Sequence, residues 1–202
     1  MRSPGYLYEL LESTIFTEGL DDPDLWMLGF SALWIKGATL AELAESFDLD
    51  PVTRTPCHLS EILDHNIEDG SRWVAEVNNW IAVVPAHGDA EPLRTITQAG
   101  REAIGLRLDI NGNAYLEYAR DGRLLVSFDP MTPDQRSGDA PHALDHLMTG
   151  LRFQLTVDDN VPDPVDVPES ITSALTLIGR LTNTDIATDW FQPCHSRLSP
   201  TS

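Results

Sequence analysis

The sequence predicts an α+β fold in which an antiparallel sheet of four to six strands packs against N-terminal and C-terminal helices. Three observations carry this reading. Between Trp73 and Phe128 the chain is a series of short runs with alternating apolar residues, the period of a strand with one buried face. Asn111-Gly112, Asp121-Gly122 and Gly88-Asp89 separate the runs, and such pairs supply the positive φ angles of tight reversals. Before and after this region the apolar period lengthens to that of a helix. One domain is expected over residues 1–202, with a helical lead-in over 1–70, the sheet over 71–130 and C-terminal helices over 139–192.

Taken in order, Tyr6, Leu7, Leu10 and Leu11 share one face of a first helix. Asp22-Pro23-Asp24 offers an N-cap and a proline at the first helical position for a second, carrying Leu25, Trp26, Leu28, Phe30, Leu33, Trp34 and Ile35. That run is apolar around most of its circumference, so it is expected to be a buried helix closed by Gly37. Thr39-Leu40-Ala41-Glu42 matches a capping box for a short third helix ending at Asp50-Pro51. Residues 51–71 mix prolines, histidines and acids and suit a loop with at most one short helix over 58–65.

Strands are expected over 72–77 and 79–85, joined at Asn78-Asn79 or forming one bent strand, and over 102–109, 113–119 and 123–128, with a short helix or turn over 93–99. Period-two counting puts Tyr115 and Tyr118 on opposite faces. Leu144, Leu147, Met148 and Leu151 give one face of a helix over 141–151, and an acidic, proline-containing linker follows over 156–168. Pro168-Glu169 begins a last helix with Ile171, Ala174, Leu175, Ile178 and Leu181 at helical spacing, and residues 185–191 suit a short further helix. Residues 193–202 are expected to fray. The helices should cover one sheet face, leaving an open face that bears Arg107 and Glu117.

Charge narrows the function classes. Asp and Glu total 32 against 13 Lys and Arg, a net charge of -19. Such a surface repels a phosphate backbone and anionic lipid, which argues against direct nucleic-acid binding through a basic face and against membranes. No apolar stretch reaches the ~20 residues of a membrane span, and the N-terminus lacks the apolar core of a secretory signal. A cytoplasmic protein is the expectation. The two cysteines, Cys57 and Cys194, are expected to be free thiols.

Several residues qualify as candidate sites. His142 and His146 stand four apart on the helix expected there, a spacing that puts both imidazoles on one face and can hold a metal. Cys57-His58 and Cys194-His195 would make a Cys2His2 set if they met in space, although neither thiol belongs to a C-x2-C pair. Arg136, ahead of Ser137-Gly138 and a helix start, can bind an anion or act as a tether by pairing Asp129, Asp134 or Asp139. Trp190 and Phe191 form a candidate recognition pair beyond the last helix. No serine has a G-x-S-x-G setting, and Gly100-Arg101-Glu102-Ala103-Ile104-Gly105 lacks the lysine of a phosphate loop. No catalytic residue and no cofactor is assigned.

The stretch from Trp73 to Leu151 resembles an uncharacterised family of actinobacterial proteins, a domain of unknown function. The resemblance rests on Trp80, on Tyr118-Ala119-Arg120-Asp121-Gly122 leading into Val126-Ser127-Phe128-Asp129-Pro130, and on Arg136-Ser137-Gly138 before a helix start. The lead-in over 25–51 looks similar too. Such families commonly have aspartate where His142 stands, so the resemblance implies a fold and a source but no histidine chemistry.

The functional expectation follows from charge without a catalytic constellation. It is a non-enzymatic acidic protein-interaction module, immunity or antitoxin-like, that docks a basic protein. The alternative is a small-molecule-binding protein or hydrolytic enzyme that uses the sheet face and Arg136.

Overall fold

The computed structural model of the chain describes residues 3–14, 26, 29–63, 69–86, 90–153 and 165–201. Among these the fold is α+β, with an open antiparallel sheet of eight strands rather than four to six. The strands are β1 (Phe30–Lys36), β2 (Leu49–Cys57), β3 (Arg72–Val77), β4 (Trp80–Val84), β5 (Glu102–Leu108), β6 (Ala114–Arg120), β7 (Arg123–Phe128) and β8 (His195–Pro200). Their order is β2-β8-β3-β4-β1-β5-β6-β7, antiparallel at every junction. The helices are α1 (Tyr6–Thr14), α2 (Leu40–Ser46), α3 (Leu59–Ile62), α4 (Ala90–Ile96), α5 (Asp145–Met148) and α6 (Val167–Thr182), followed by a π-helix over Ile186–Phe191. Among the described residues no helix is long and apolar enough to cross a membrane.

Three strands, β1, β2 and β8, are not among those expected from the sequence, and each hid for a physical reason. Phe30–Lys36, expected as part of a buried helix, is a central strand between β4 and β5. Its Phe30, Ala32 and Trp34 enter one core and its Leu33 and Ile35 the other. A run buried on both faces carries no period to separate strand from helix. Gly29 and Gly37, both at positive φ, bracket it. The run's expected start at Asp22-Pro23-Asp24 and most of the acidic linker lie outside the described residues.

Leu49–Cys57 pairs with β8 alone and so is an edge strand. There Pro51 and Pro56 are tolerated, because a missing N–H on the open side breaks no ladder. The segment expected to fray at the C-terminus holds β8, inserted between β2 and β3. Only Ser196 and Leu198 of this strand are buried, a signal too short to register as alternation.

The turns follow their chemistry. Asp121 and Gly122 both have positive φ, as a two-residue hairpin between paired Arg120 and Arg123 requires. Thr39 and Glu42 close the capping box on α2, the Thr39 N–H donating to Glu42 Oε2 at 2.8 Å. Asp166 caps α6 by accepting from the Glu169 N–H, with proline in the first turn. The helix expected over 141–151 shrinks to α5. The N–H groups of Ala143 and Asp145 reach back only three residues, to Ala140 and His142, so the chain turns before it winds.

Both sheet faces are covered, which corrects the expectation of one open face. On the first, α1, α6 and the π-helix pack Leu7, Leu11, Ile171, Leu175, Ile178 and Trp190 against Trp34, Trp73, Ile104 and Leu116. Tyr118 joins this core while Tyr115 points to the other side, as period two predicts. On the second face, Leu43 and Ala44 of α2 and Leu93 and Ile96 of α4 cover Leu33, Ile35, Val83, Ala103 and Ala119. Between these two short helices the covering is incomplete.

Candidate ligand-binding site

The gap between α2 and α4 is a cavity of about 460 Å³ over β1, β5 and β6. Its size falls in the range of small-molecule sites. Gly105 forms the middle of the floor, flanked by Leu33 on β1 and Glu117 on β6 in one cross-strand row. Phe47, Leu93, Ile96 and Ala86 supply apolar walls.

Gly105 leaves the middle of that floor without a side chain. Glycine inside a strand costs about 0.5–1 kcal/mol relative to alanine and marks a bulge, a bend or a close approach. None of the usual backbone causes applies at this position. Its φ is not in the left-handed region, β5 stays in unbroken register with both neighbours, and an added Cβ would lie 3.5 Å from Leu33 Cδ1 and 3.6 Å from the Ala32 carbonyl. Those are ordinary contacts, so a side chain fits there and would occupy part of the cavity.

Polar groups occupy defined places around the floor. The Arg107 guanidinium lies over the Tyr115 ring, 4.6 Å from its centroid, the two residues being directly opposed on β5 and β6. Glu117 accepts from Ser127 Oγ at 3.4 Å, across the next strand pair. At the other end Arg101 pairs with Glu42 at 2.5 Å. Backbone and hydroxyl hydrogen bonds from Thr39 hold the Glu42 carboxyl below its usual pKa, with Arg101 adding to them. The capping box that starts α2 therefore also anchors one rim of the cavity. Ser46 and Thr95 complete the polar lining.

The residues singled out in the sequence lie elsewhere. Arg136 is outside the cavity. It pairs with Asp145, gives its Nε–H to the Pro133 carbonyl and stands 5.9 Å from the Phe128 ring centroid. It ties the 131–138 connection to α5, with Asp145 in place of the three expected partners. Burial raises the Asp145 pKa, but Arg136 and His142 outweigh it and hold the carboxyl below its usual value.

His142 precedes α5 in a turn, its side chain 78% exposed and bonded to Asp145 at 3.0 Å, while His146 lies within the helix. The two therefore do not share the helical face their spacing suggested. Trp190 and Phe191 are core residues at 0% and 4% exposure, packed edge-to-face on Trp34 and Phe30. The exposed recognition pair expected in the sequence is thus absent, because the π-helix turns both rings inward. Cys57-His58 and Cys194-His195 are brought together by the β2–β8 pairing, and both thiols are free. Among the described residues no group of three or more His, Cys, Asp or Glu side chains is placed to hold a metal.

Sequence reasoning named Arg107 and Glu117 as polar sheet-face residues but missed the cavity between them. The available signal was Gly105, an isolated glycine in a strand pattern. No curated protein and no solved structure matches the chain. The profile of a family of unknown function, DUF6461, matches residues 58–198, which take in the sheet from β3 through β8, and the chain belongs to that family.

Proposed function

We propose that the protein binds a small organic molecule in the cavity between α2, α4 and the β1–β5–β6 floor. The observation that carries this is a cavity of about 460 Å³ lined by apolar walls and a few placed polar groups, with Gly105 leaving its floor bare of a side chain. The molecule lies across the sheet on the glycine, under Leu93 and Ile96. This reading uses the sheet face without Arg136, whose guanidinium serves as a tether.

The test is a Gly105→Val variant probed with N-phenyl-1-naphthylamine, an uncharged dye that fluoresces in apolar cavities. The wild type is expected to bind one dye molecule. The variant is expected to bind none while melting no lower than the wild type, since valine suits a strand and fills a void. An unstained wild type, or a variant that binds equally well, removes the reading.

A second reading, an acidic module that docks a basic protein in the cytoplasm, is supported by charge. At least eight cationic side chains pair with carboxylates among the described residues, and the net charge of -19 remains as acid excess. Long-range attraction of a cationic surface follows from such an excess. Affinity capture from native lysate at about 0.15 M ionic strength should recover one basic protein in stoichiometric amount; recovery of none removes it.

A further inference from the structure

We infer that the cavity's ligand is an uncharged, largely hydrocarbon molecule with a flat ring, laid on the strand backbone at Gly105. This rests on the cavity being a binding site. An ionised ligand enters a partly enclosed space only where the protein turns an opposite charge toward it, because an ion that leaves water without a partner is heavily penalised. At this cavity the charged side chains are engaged by the protein itself.

Arg101 pairs with Glu42 at 2.5 Å, and Glu42 also accepts from the Thr39 N–H and hydroxyl. Arg107 stacks on the Tyr115 ring, and the Glu117 carboxylate accepts from Ser127 Oγ. Gly105 faces Glu117 and Arg107 faces Tyr115, so Arg107 and Glu117 stand diagonally across β5 and β6 on one sheet face, where opposite charges on long side chains offset one another. Two guanidinium groups thus balance two carboxylates, and neither an anion nor a cation meets a net attraction. The hydroxyls are engaged too: Ser46 Oγ donates to the Glu42 carbonyl at 2.8 Å within α2, and Thr95 has partners of its own.

What the cavity offers a ligand is therefore carbon. Phe47, at the end of α2, forms one wall, and Leu93 and Ile96, three residues apart on α4, form the other. Leu33 borders the glycine on β1. A flat ring can lie close on the floor at Gly105, where no side chain stands in the way, and its edges then meet side-chain carbon from both helices. Removal of that apolar surface from water is the driving force.

The experiment compares three probes that share one ring system and differ in charge: 2-naphthylmethanol, 2-naphthoate and 2-naphthylmethylamine. Each is titrated at about pH 7, where the acid and the amine are ionised, by displacement of N-phenyl-1-naphthylamine from the wild type and, independently, by calorimetry. The alcohol is expected to bind at least about tenfold tighter than either ion, since neither ion finds a group to replace its lost hydration. Gly105→Val should abolish the alcohol's binding, which locates it on the floor. If either ion comes within about tenfold of the alcohol, or the alcohol leaves the dye in place or still binds the variant, the uncharged assignment falls and the cavity reading is judged by the dye alone. If the dye and all three probes fail to bind the wild type, both fall together.

Discussion

Cys57 and His195 stand directly opposite each other where β2 pairs with β8. The imidazole packs edge-on against Trp73 at 5.1 Å, with Nε2 3.2 Å from the Asp189 carbonyl, and the thiol is buried beside it. Burial pushes the Cys57 thiol up to about 11, with Glu61 adding to the effect. Burial also lowers the His195 pKa, against opposing hydrogen bonds that the ring makes to the backbone at Asp189 and Trp190. Both groups therefore favour their neutral forms, and the pair is part of the packing.

Thiol labelling should follow that arrangement. With iodoacetamide at pH 8, native protein is expected to take one label on Cys194, which is exposed, and a second on Cys57 only after denaturation. Mass spectrometry of the labelled peptides checks this. Equal labelling of both in the native state would show that the β2–β8 junction opens readily.

Stability should decline at alkaline pH for a stated reason. Burial and the neighbouring Glu102 carboxylate, to which the Tyr118 hydroxyl donates at 3.1 Å, push that phenol from 10.0 up to about 12. Cys57 moves from 9.0 to about 11 by burial. Both folded values exceed the unfolded ones, so their contributions are complete below pH 9 and are lost as the pH rises toward 12. Urea midpoints measured between pH 8 and 12 should fall, and Tyr118→Phe should flatten the part of the decline above pH 10.

Trp190 should be among the costliest single residues to truncate. Its ring meets Trp34 edge-to-face at 6.5 Å, and its Nε1–H donates to Thr184 Oγ1 at 2.6 Å. Trp190→Ala is expected to lose about 3–5 kcal/mol in urea unfolding. Trp190→Phe should lose clearly less, because the aromatic packing partly survives. A loss below about 1 kcal/mol for the alanine variant would contradict the core placement.

Removing β8 should be worse than trimming a loose tail. A chain ending at Pro193 loses the strand that joins β2 to β3, exposing an edge of β3. It is expected to aggregate and to show no cooperative thermal transition, as light scattering and calorimetry would reveal. A monomeric chain with a normal melt would mean that residues 195–200 contribute little.

Where one face of an element meets the core and the other does not, the sequence is readable. The hairpin at Asp121-Gly122, the capping box at Thr39 and the start of α6 near Pro168 all follow from local chemistry that tertiary structure leaves intact. Phe30–Lys36 defeats the same method because it is enclosed on both faces, and the choice between strand and helix then depends on partners far away in the chain. The edge strand β2, with its two prolines, and the mostly polar β8 depend on each other for recognition. The candidate site was legible in pieces: the face of Arg107, Tyr115 and Glu117 follows from period two. The void over Gly105 was not, because it exists only once α2 and α4 close over the sheet from separate parts of the chain.

The placement of β8 also bears on biosynthesis. A ribosome delivers β2 well before its partner β8, so during translation β2 has nothing to pair with and β3 presents a bare edge. The sheet can be completed only after residues 195–200 emerge, and closing so long a loop is slow. Until then the half-built sheet carries an unpaired strand edge, the kind of surface on which incompletely folded chains aggregate.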